Sequence, residues 1–288
     1  MCSVVGVYGN PNASRNVSAG LFATQHRGQE ATGISSSKNN QIKTRKKLGL
    51  VSEVFRYDSD FKELDGSLAI GHNRYSTAGG KSILDAQPIQ ASFKFGAMSI
   101  VHNGNLINKD EVRKELIDKG AIFQSKMDTE NIIHLIARSK KETMQERIVE
   151  ALSVIKGAYC FLIINDNKMY AIRDKHGIRP LSIAKLKDGG YMVSSETCAF
   201  DLLGADYIRD VQPGEMIVFD EEKGMSSINL FESEYRPCAF EYIYFARPDS
   251  IIDGTSVYQA RTEMGIQLAK ESKIEADIVI PVPDSGVP

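Results

Sequence analysis

Apolar and polar positions alternate along the chain with two different periods. Residues 2–9 (CSVVGVYG) are β-branched and apolar, which predicts a buried strand ended by Gly9-Asn10-Pro11. Residues 14–26 set Val17, Leu21 and Phe22 at helical spacing, and the Arg27-Gly28 turn ends that helix. Short strands are predicted at 30–37 and 41–51, joined by the polar turn Lys38-Asn39-Asn40, and again at 68–75 and 97–105, each running into a polar loop. Amphipathic helices are predicted over 111–120, 125–139 and 144–157. Residues 157–174 read as a hairpin around Asn165-Asp166-Asn167, and 191–196 and 214–220 as further strands. From 232 to 250 the sequence is rich in aromatics and lacks a clean period, which predicts a structured crossover. A helix over 257–272 follows, then an apolar strand of the buried, parallel type within 276–288. Short strands mixed with amphipathic helices indicate an α+β chain packed in layers.

Composition narrows the classes of function. The 288 residues are 42% hydrophobic and 25% charged, ordinary for a globular protein, with room for one large domain or a domain plus part of another. A net charge of −2 argues against nucleic acid or an anionic membrane as the main partner. The basic run Lys43-Thr44-Arg45-Lys46-Lys47 leads into LGLVSEVF without interleaved aromatics, as in a solvated turn or strand. No stretch of 18 apolar residues is present, and the N-terminus lacks a basic region and cleavage site, so a cytoplasmic protein is expected. Cys2, Cys160, Cys198 and Cys238 are widely spread with no CxxC, which suits a reducing compartment, without a disulfide framework or a complete zinc site.

Several stretches hold chemistry. Removal of Met1 would leave Cys2 with both a thiol and an α-amine, a nucleophile with a built-in base; the plain alternative is a thiol that only packs. In His102-Asn103-Gly104-Asn105, the Asn103 side-chain amide and the Gly104 N–H are two donors that converge as an oxyanion hole requires, or else form a plain Asn-Gly turn. Arg74 ends a strand ahead of small residues, where a guanidinium takes a carboxylate in two-pronged fashion and Gly79-Gly80 permits a lid; an ordinary surface loop is the other reading. Asp128, just ahead of its helix, is either a helix-terminus charge or, with Arg74, one of two groups that grip the ends of an amino acid.

Taken in order, Cys2, QHRGQEATG, GHNRYSTAG, HNGN and MDTE resemble the class II glutamine amidotransferases, N-terminal-nucleophile hydrolases with a four-layer αββα sandwich. The resemblance covers residues 2–235 and implies that Cys2 attacks the glutamine side-chain amide while Asn103 and Gly104 stabilise the oxyanion. It further implies that Arg74 and Asp128 bind glutamine with Thr77 nearby, that Arg27 supports the nucleophile, and that 74–85 is a closing loop. Only Met1 removal, and no cofactor, is then needed for the glutaminase step.

RDKHGIRPL, SSETCAFDLLG, RDVQPGE and FEYIYFARPDS resemble the members of that class that make 5-phosphoribosylamine from glutamine and phosphoribosyl pyrophosphate (PRPP) in purine synthesis. Residues 236–288 are then a linker and the first elements of an α/β phosphoribosyltransferase domain whose acidic PRPP motif is expected beyond residue 288. The resemblance implies Mg2+ for the full-length enzyme with Ser285 near it, a possible 4Fe-4S cluster with Cys238 as first ligand, and a homo-oligomer. Two alternatives stay open: the glutaminase domain of another class II amidotransferase, and a catalytically silent regulatory module.

Overall fold

A computed structural model describes residues 1–75 and 82–288. In chain order its strands are β1 (Ser3–Tyr8), β2 (Ala31–Lys38), β3 (Gln41–Leu48), β4 (Leu68–Arg74), β5 (Ile89–Phe93), β6 (Gly96–Leu106) and β7 (Gly157–Asn165), then β8 (Lys168–Arg173), β9 (Ser182–Lys185), β10 (Tyr191–Ser194), β11 (Asp206–Asp210), β12 (Glu215–Asp220) and β13 (Gly224–Asn229). The helices are α1 (Ala13–Ala23), α2 (Val51–Val54), α3 (Lys109–Asp118), α4 (Thr129–Arg138), α5 (Met144–Val154), α6 (Cys198–Leu203) and α7 (Val257–Glu271). One large sheet runs β11-β9-β10-β1-β4-β2-β3 and a second β13-β12-β8-β7-β6-β5, with antiparallel pairing throughout, and Ile251–Ile252 pairs with Thr255–Ser256 in a separate two-stranded sheet.

The period-2 pattern of the central strands builds four layers. In β1, Val5 and Val7 turn to one face and pack with Val17 and Leu21 of α1 and Phe200 of α6. Val4 and Tyr8 turn to the other face and meet Leu162 and Ile164 of β7 and Phe219 of β12 between the sheets. The sheets lie close together at Gly6, where an added Cβ would lie 2.9 Å from the Met169 sulfur and 3.0 Å from a Leu162 methyl. Phe161 and Ile163 of β7 point the opposite way, into a core closed by Ile132, Ile133 and Ile136 of α4 and Ile148 and Leu152 of α5. The αββα sandwich expected from the resemblance is the fold.

Most predicted elements form within a few residues of their expected ends. The 157–174 hairpin forms as β7 and β8, and the helix predicted over 14–26 stops at Ala23, where the Thr24 hydroxyl bonds the Gly20 carbonyl. The strand expected within 276–288 does not form: Ile278, Val279, Ile280 and Val282 are exposed, and no described strand pairs with the segment. An apolar run without a hydrogen-bonded neighbour has nothing to hold it extended.

The crossover is structured, as expected. It lies along the Asp174–Pro180 turn, with backbone bonds from Arg236 to His176 and from Cys238 to Ile178. A two-pronged ion pair from the buried Arg173 to Asp253 anchors its far end at 2.8 and 2.9 Å. A π-helical turn, Glu241–Phe245, lies at its centre. Arg261 of α7 binds that turn through the carbonyls of Tyr242 and Ala246.

Candidate active site

Strand register brings the candidate residues to one end of the sandwich. β1 and β4 pair with Ser3 opposite Asn73, so Cys2 and Arg74 leave the sheet side by side. The Gln25–Arg27 turn is pressed against the same place: a Cβ on Gly28 would lie 2.6 Å from the Arg74 carbonyl carbon. From the other sheet, β6 brings Asn103 and Gly104 to this end, opposite Cys160 and Tyr159 of β7. Only glycine fits at 104, because a Cβ there would lie 2.0 Å from the Ala158 carbonyl oxygen. Asp128 precedes α4 but makes no cap bond with its side chain. Its carboxylate instead accepts from the Leu106 N–H at 3.0 Å and lies 3.4 Å from His102 Nδ1.

Cys2, Arg74, Tyr75, His102, Gly104 and Asp128 line one cavity of about 40 Å³. A larger cleft of about 800 Å³ lies between β3, β5 and α4, lined by Lys43, Arg45, Lys46 and Glu130 among others. It brings none of the candidate site residues to its walls.

Electrostatics set the protonation states. The half-buried Cys2 thiol donates a long bond, 3.7 Å, to the Tyr75 carbonyl. Burial raises its pKa, so at neutral pH it needs a base to lose its proton. The Met1 amine beside it is lowered to about 6, mainly by burial and also by the charges of Arg27 and Arg179. For Asp128, burial alone would raise the pKa, but His102 and the Leu106 N–H outweigh it and hold the carboxylate at about 2. The Asn103 side chain is buried, and its Nδ2 has no acceptor among the described residues; the same is true of His102 Nε2.

Four supporting residues escaped the sequence reading. Asp85 lies 3.7 Å from Arg74 and accepts from the Lys126 N–H at 2.9 Å, which ties the end of β4 to the turn before Asp128. Gln87 accepts from the His102 N–H at 2.6 Å and donates to the Thr129 hydroxyl at 3.2 Å, joining β6 to α4. Glu196 and Glu241 both bind the guanidinium of Arg27. Asp85 ends the expected closing loop and Glu196 and Glu241 lie in stretches that carry the resemblance, but nothing in their spacing singles them out from their neighbours.

Glu196 gives a prediction. Burial would raise its pKa, but Arg27, His26 and the Arg247 N–H hold it down to about 2, against an ordinary 4.5. A depressed carboxylate stabilises the fold above its unfolded pKa, and that stabilisation is lost as pH falls toward the folded value. Urea midpoints of the wild type are therefore expected to drop as pH falls from 4.5 toward 2, and those of Glu196→Gln to drop less steeply. Parallel curves would rule this out.

Thr77 lies outside the described residues. Cys238 is half-buried at the start of the crossover, and Ser285 lies in a turn near the end of the chain. Among the described residues no group of three or more His, Cys, Asp or Glu side chains gathers as a metal site. The residues present thus fit neither an iron–sulfur cluster nor a Mg2+ site, and no step below passes through either. No helix among them is long and apolar enough to cross a membrane.

Comparison with known proteins places this geometry. A glutamine amidotransferase domain family matches residues 72–201, which contain Arg74, Asn103, Gly104 and Asp128. A chloroplastic amidophosphoribosyltransferase from Vigna aconitifolia is 46% identical over 99% of this chain and 59% of its own length. The solved glutamine PRPP amidotransferase of B. subtilis, complexed with ADP and GMP, superposes with a TM-score of 0.93 at 43% identity, over 99% of this chain and 62% of that one. A solved allosteric regulatory enzyme of purine biosynthesis gives 0.95 at 44% identity, over 99% and 61%. The chain thus spans about three fifths of the length of these relatives. Over nearly all of its length it is similar to the part of the amidophosphoribosyltransferases that carries the glutamine amidotransferase domain.

Proposed function

We propose that this chain is the glutaminase part of an amidophosphoribosyltransferase, releasing ammonia from glutamine in the cytoplasm for 5-phosphoribosylamine formation in purine synthesis. Once Met1 is removed, the Cys2 amine takes the thiol proton, and sulfur attacks the glutamine side-chain carbonyl. The carbonyl oxygen becomes an oxyanion facing the Asn103 amide and the Gly104 N–H. As the tetrahedral species collapses, the amine returns the proton to the departing ammonia, leaving a thioester. Water, deprotonated by the same amine, then cleaves the thioester to glutamate and free thiol. Arg74 takes the α-carboxylate of glutamine, Asp128 its α-ammonium, and Arg27 holds the nucleophile. PRPP and Mg2+ belong to the transfer half of the full-length reaction.

The observation that carries this reading is the convergence of Cys2, Arg74, Gly104 and Asp128 on one cavity, with an Asn103 Nδ2 that has no partner among the described residues in the same strand as Gly104. It favours a working site over a silent module, because packing alone requires neither that donor nor the Asp128 carboxylate turned toward β6.

The test is intact mass before and after a glutamine-mimicking diazo-ketone, with the adduct mapped by peptide sequencing. A chain lacking Met1 should gain one label at Cys2, and glutamine should protect against it. A chain that has lost Met1 and stays unlabelled would sink the proposal.

A further inference from the structure

Arg27 carries a charge with no access to water: its side chain is 0% exposed, as is that of Glu196, and Glu241 is 2% exposed. Four bonds fix its plane. Nε donates to the Cys2 carbonyl at 3.1 Å and Nη1 donates to Glu196. Glu241 takes the two Nη atoms at once, each at 3.0 Å. A two-pronged carboxylate sets the orientation of a guanidinium, whereas one partner on a single nitrogen leaves it free to swing. The Glu241 grip therefore determines where Nε–H points, and Nε–H points at the residue that bears the thiol.

Glu241 is itself held in place. It opens the π-helical turn of the crossover, whose carbonyls at Tyr242 and Ala246 are bound by Arg261 of α7. Arg179 Nη1 lies 3.5 Å from its Oε1. The next stretch reaches Arg27 by a second route: the Arg247 N–H and the Ser250 hydroxyl bind Glu196 Oε2 at 2.9 and 2.8 Å. One carboxylate on Arg27 thus belongs to residues 241–250 and the other is bound by them.

We propose that Glu241 is a positioning residue for the Cys2 nucleophile, so that the crossover is a working part of the glutaminase site. The proposal rests on the reading of Cys2 as nucleophile. Glu241 touches neither substrate nor thiol; it acts through Arg27 on the Cys2 backbone. Its loss should slow attack by sulfur and leave the grip on glutamine intact, because Arg74 and Asp128 are held by other groups.

The experiment compares wild type, Glu241→Gln and Glu241→Asp, each with Met1 removed, by the rate of Cys2 labelling with the diazo-ketone. Glu241→Gln should melt cooperatively and lose about tenfold or more in maximal labelling rate, since small misplacements of reacting groups cost up to about a hundredfold. The half-saturating reagent concentration and the glutamine concentration that protects should stay within about twofold. Glu241→Asp, which keeps the charge with a shorter reach, should fall between. A folded Glu241→Gln with the wild-type maximal rate overturns the proposal, and so does a loss confined to half-saturation. Should Glu241→Gln fail to fold, Glu241→Asp decides by the same criteria: a lowered maximal rate supports the proposal and a wild-type rate overturns it. Failure of the wild type to label sinks the glutaminase reading instead, so the two failures are distinguishable.

Discussion

Glutamine hydrolysis is expected to fall by about a thousandfold or more when Cys2 is replaced by serine. The side chains are nearly the same size, so the loss is chemical. A hydroxyl is a far poorer nucleophile than a thiol near neutral pH, and burial already raises the Cys2 pKa, so the site depends on removal of the proton by a base. On the proposed mechanism that base is the α-amine of Cys2, and a chain that keeps a residue ahead of Cys2 should lose activity to a similar degree. An α-amine is neutral, and able to accept a proton, above its pKa, ordinarily about 8. Activity should therefore rise with pH as the Cys2 amine loses its proton. Steady-state glutamate release across pH checks all three statements. Comparable rates for the wild type and Cys2→Ser would remove the nucleophile assignment, and full activity in an extended chain would remove the base.

Cys2→Ser should still fold like the wild type, because the strand that places residue 2 is held by other groups. Val4 and Tyr8 bury one face of β1 between the sheets, Val5 and Val7 bury the other under α1, and β4 and β10 pair with its edges. Melting temperatures of the two proteins should agree.

The parts of the site legible in the sequence lie at the ends of strongly patterned elements. Cys2 precedes an apolar run, Arg74 ends another, and Asn103-Gly104 and Asp128 lie where a period breaks off, so unusual residues stand out there. Their supports do not stand out. Glu241 lies 214 positions from Arg27, amid aromatics that gave no periodic signal. Asp85 and Gln87 lie in a polar stretch between β4 and β5, and only the tertiary fold brings Lys126 and His102 to them. The fold divides in the same way. β1, β4, β6 and β7, covered on both faces, were read from their apolar runs. β5, β9, β11 and β13 were missed; β9 and β11 are short, and the exposed or polar positions of β5, β11 and β13 weaken the alternation. The segment 276–288 shows the opposite error, an apolar pattern that pairs with no described strand.

Asn103 and Gly104 should separate two ways of losing the oxyanion donors. Asn103→Ala removes a side-chain amide whose nitrogen bonds nothing among the described residues, so melting should stay close to wild type. Removal of one donor from an oxyanion hole costs about 10²–10³ in kcat, and KM should change little, because the donor acts on charge that develops only in the transition state. Gly104→Ala keeps every polar group but places a carbon 2.0 Å from the Ala158 carbonyl oxygen on the paired strand. β6 must then move away from β7, so this variant should lose both melting temperature and kcat, the stability loss being on the order of 1–3 kcal/mol or more. The measurement is kcat, KM and melting temperature for both variants. A well-folded Asn103→Ala with wild-type kcat would show that its buried amide does not face the reaction. An unaltered melting temperature in Gly104→Ala would show that β6 can yield there without cost, so that the tight pairing of Gly104 with β7 is not what sets its N–H.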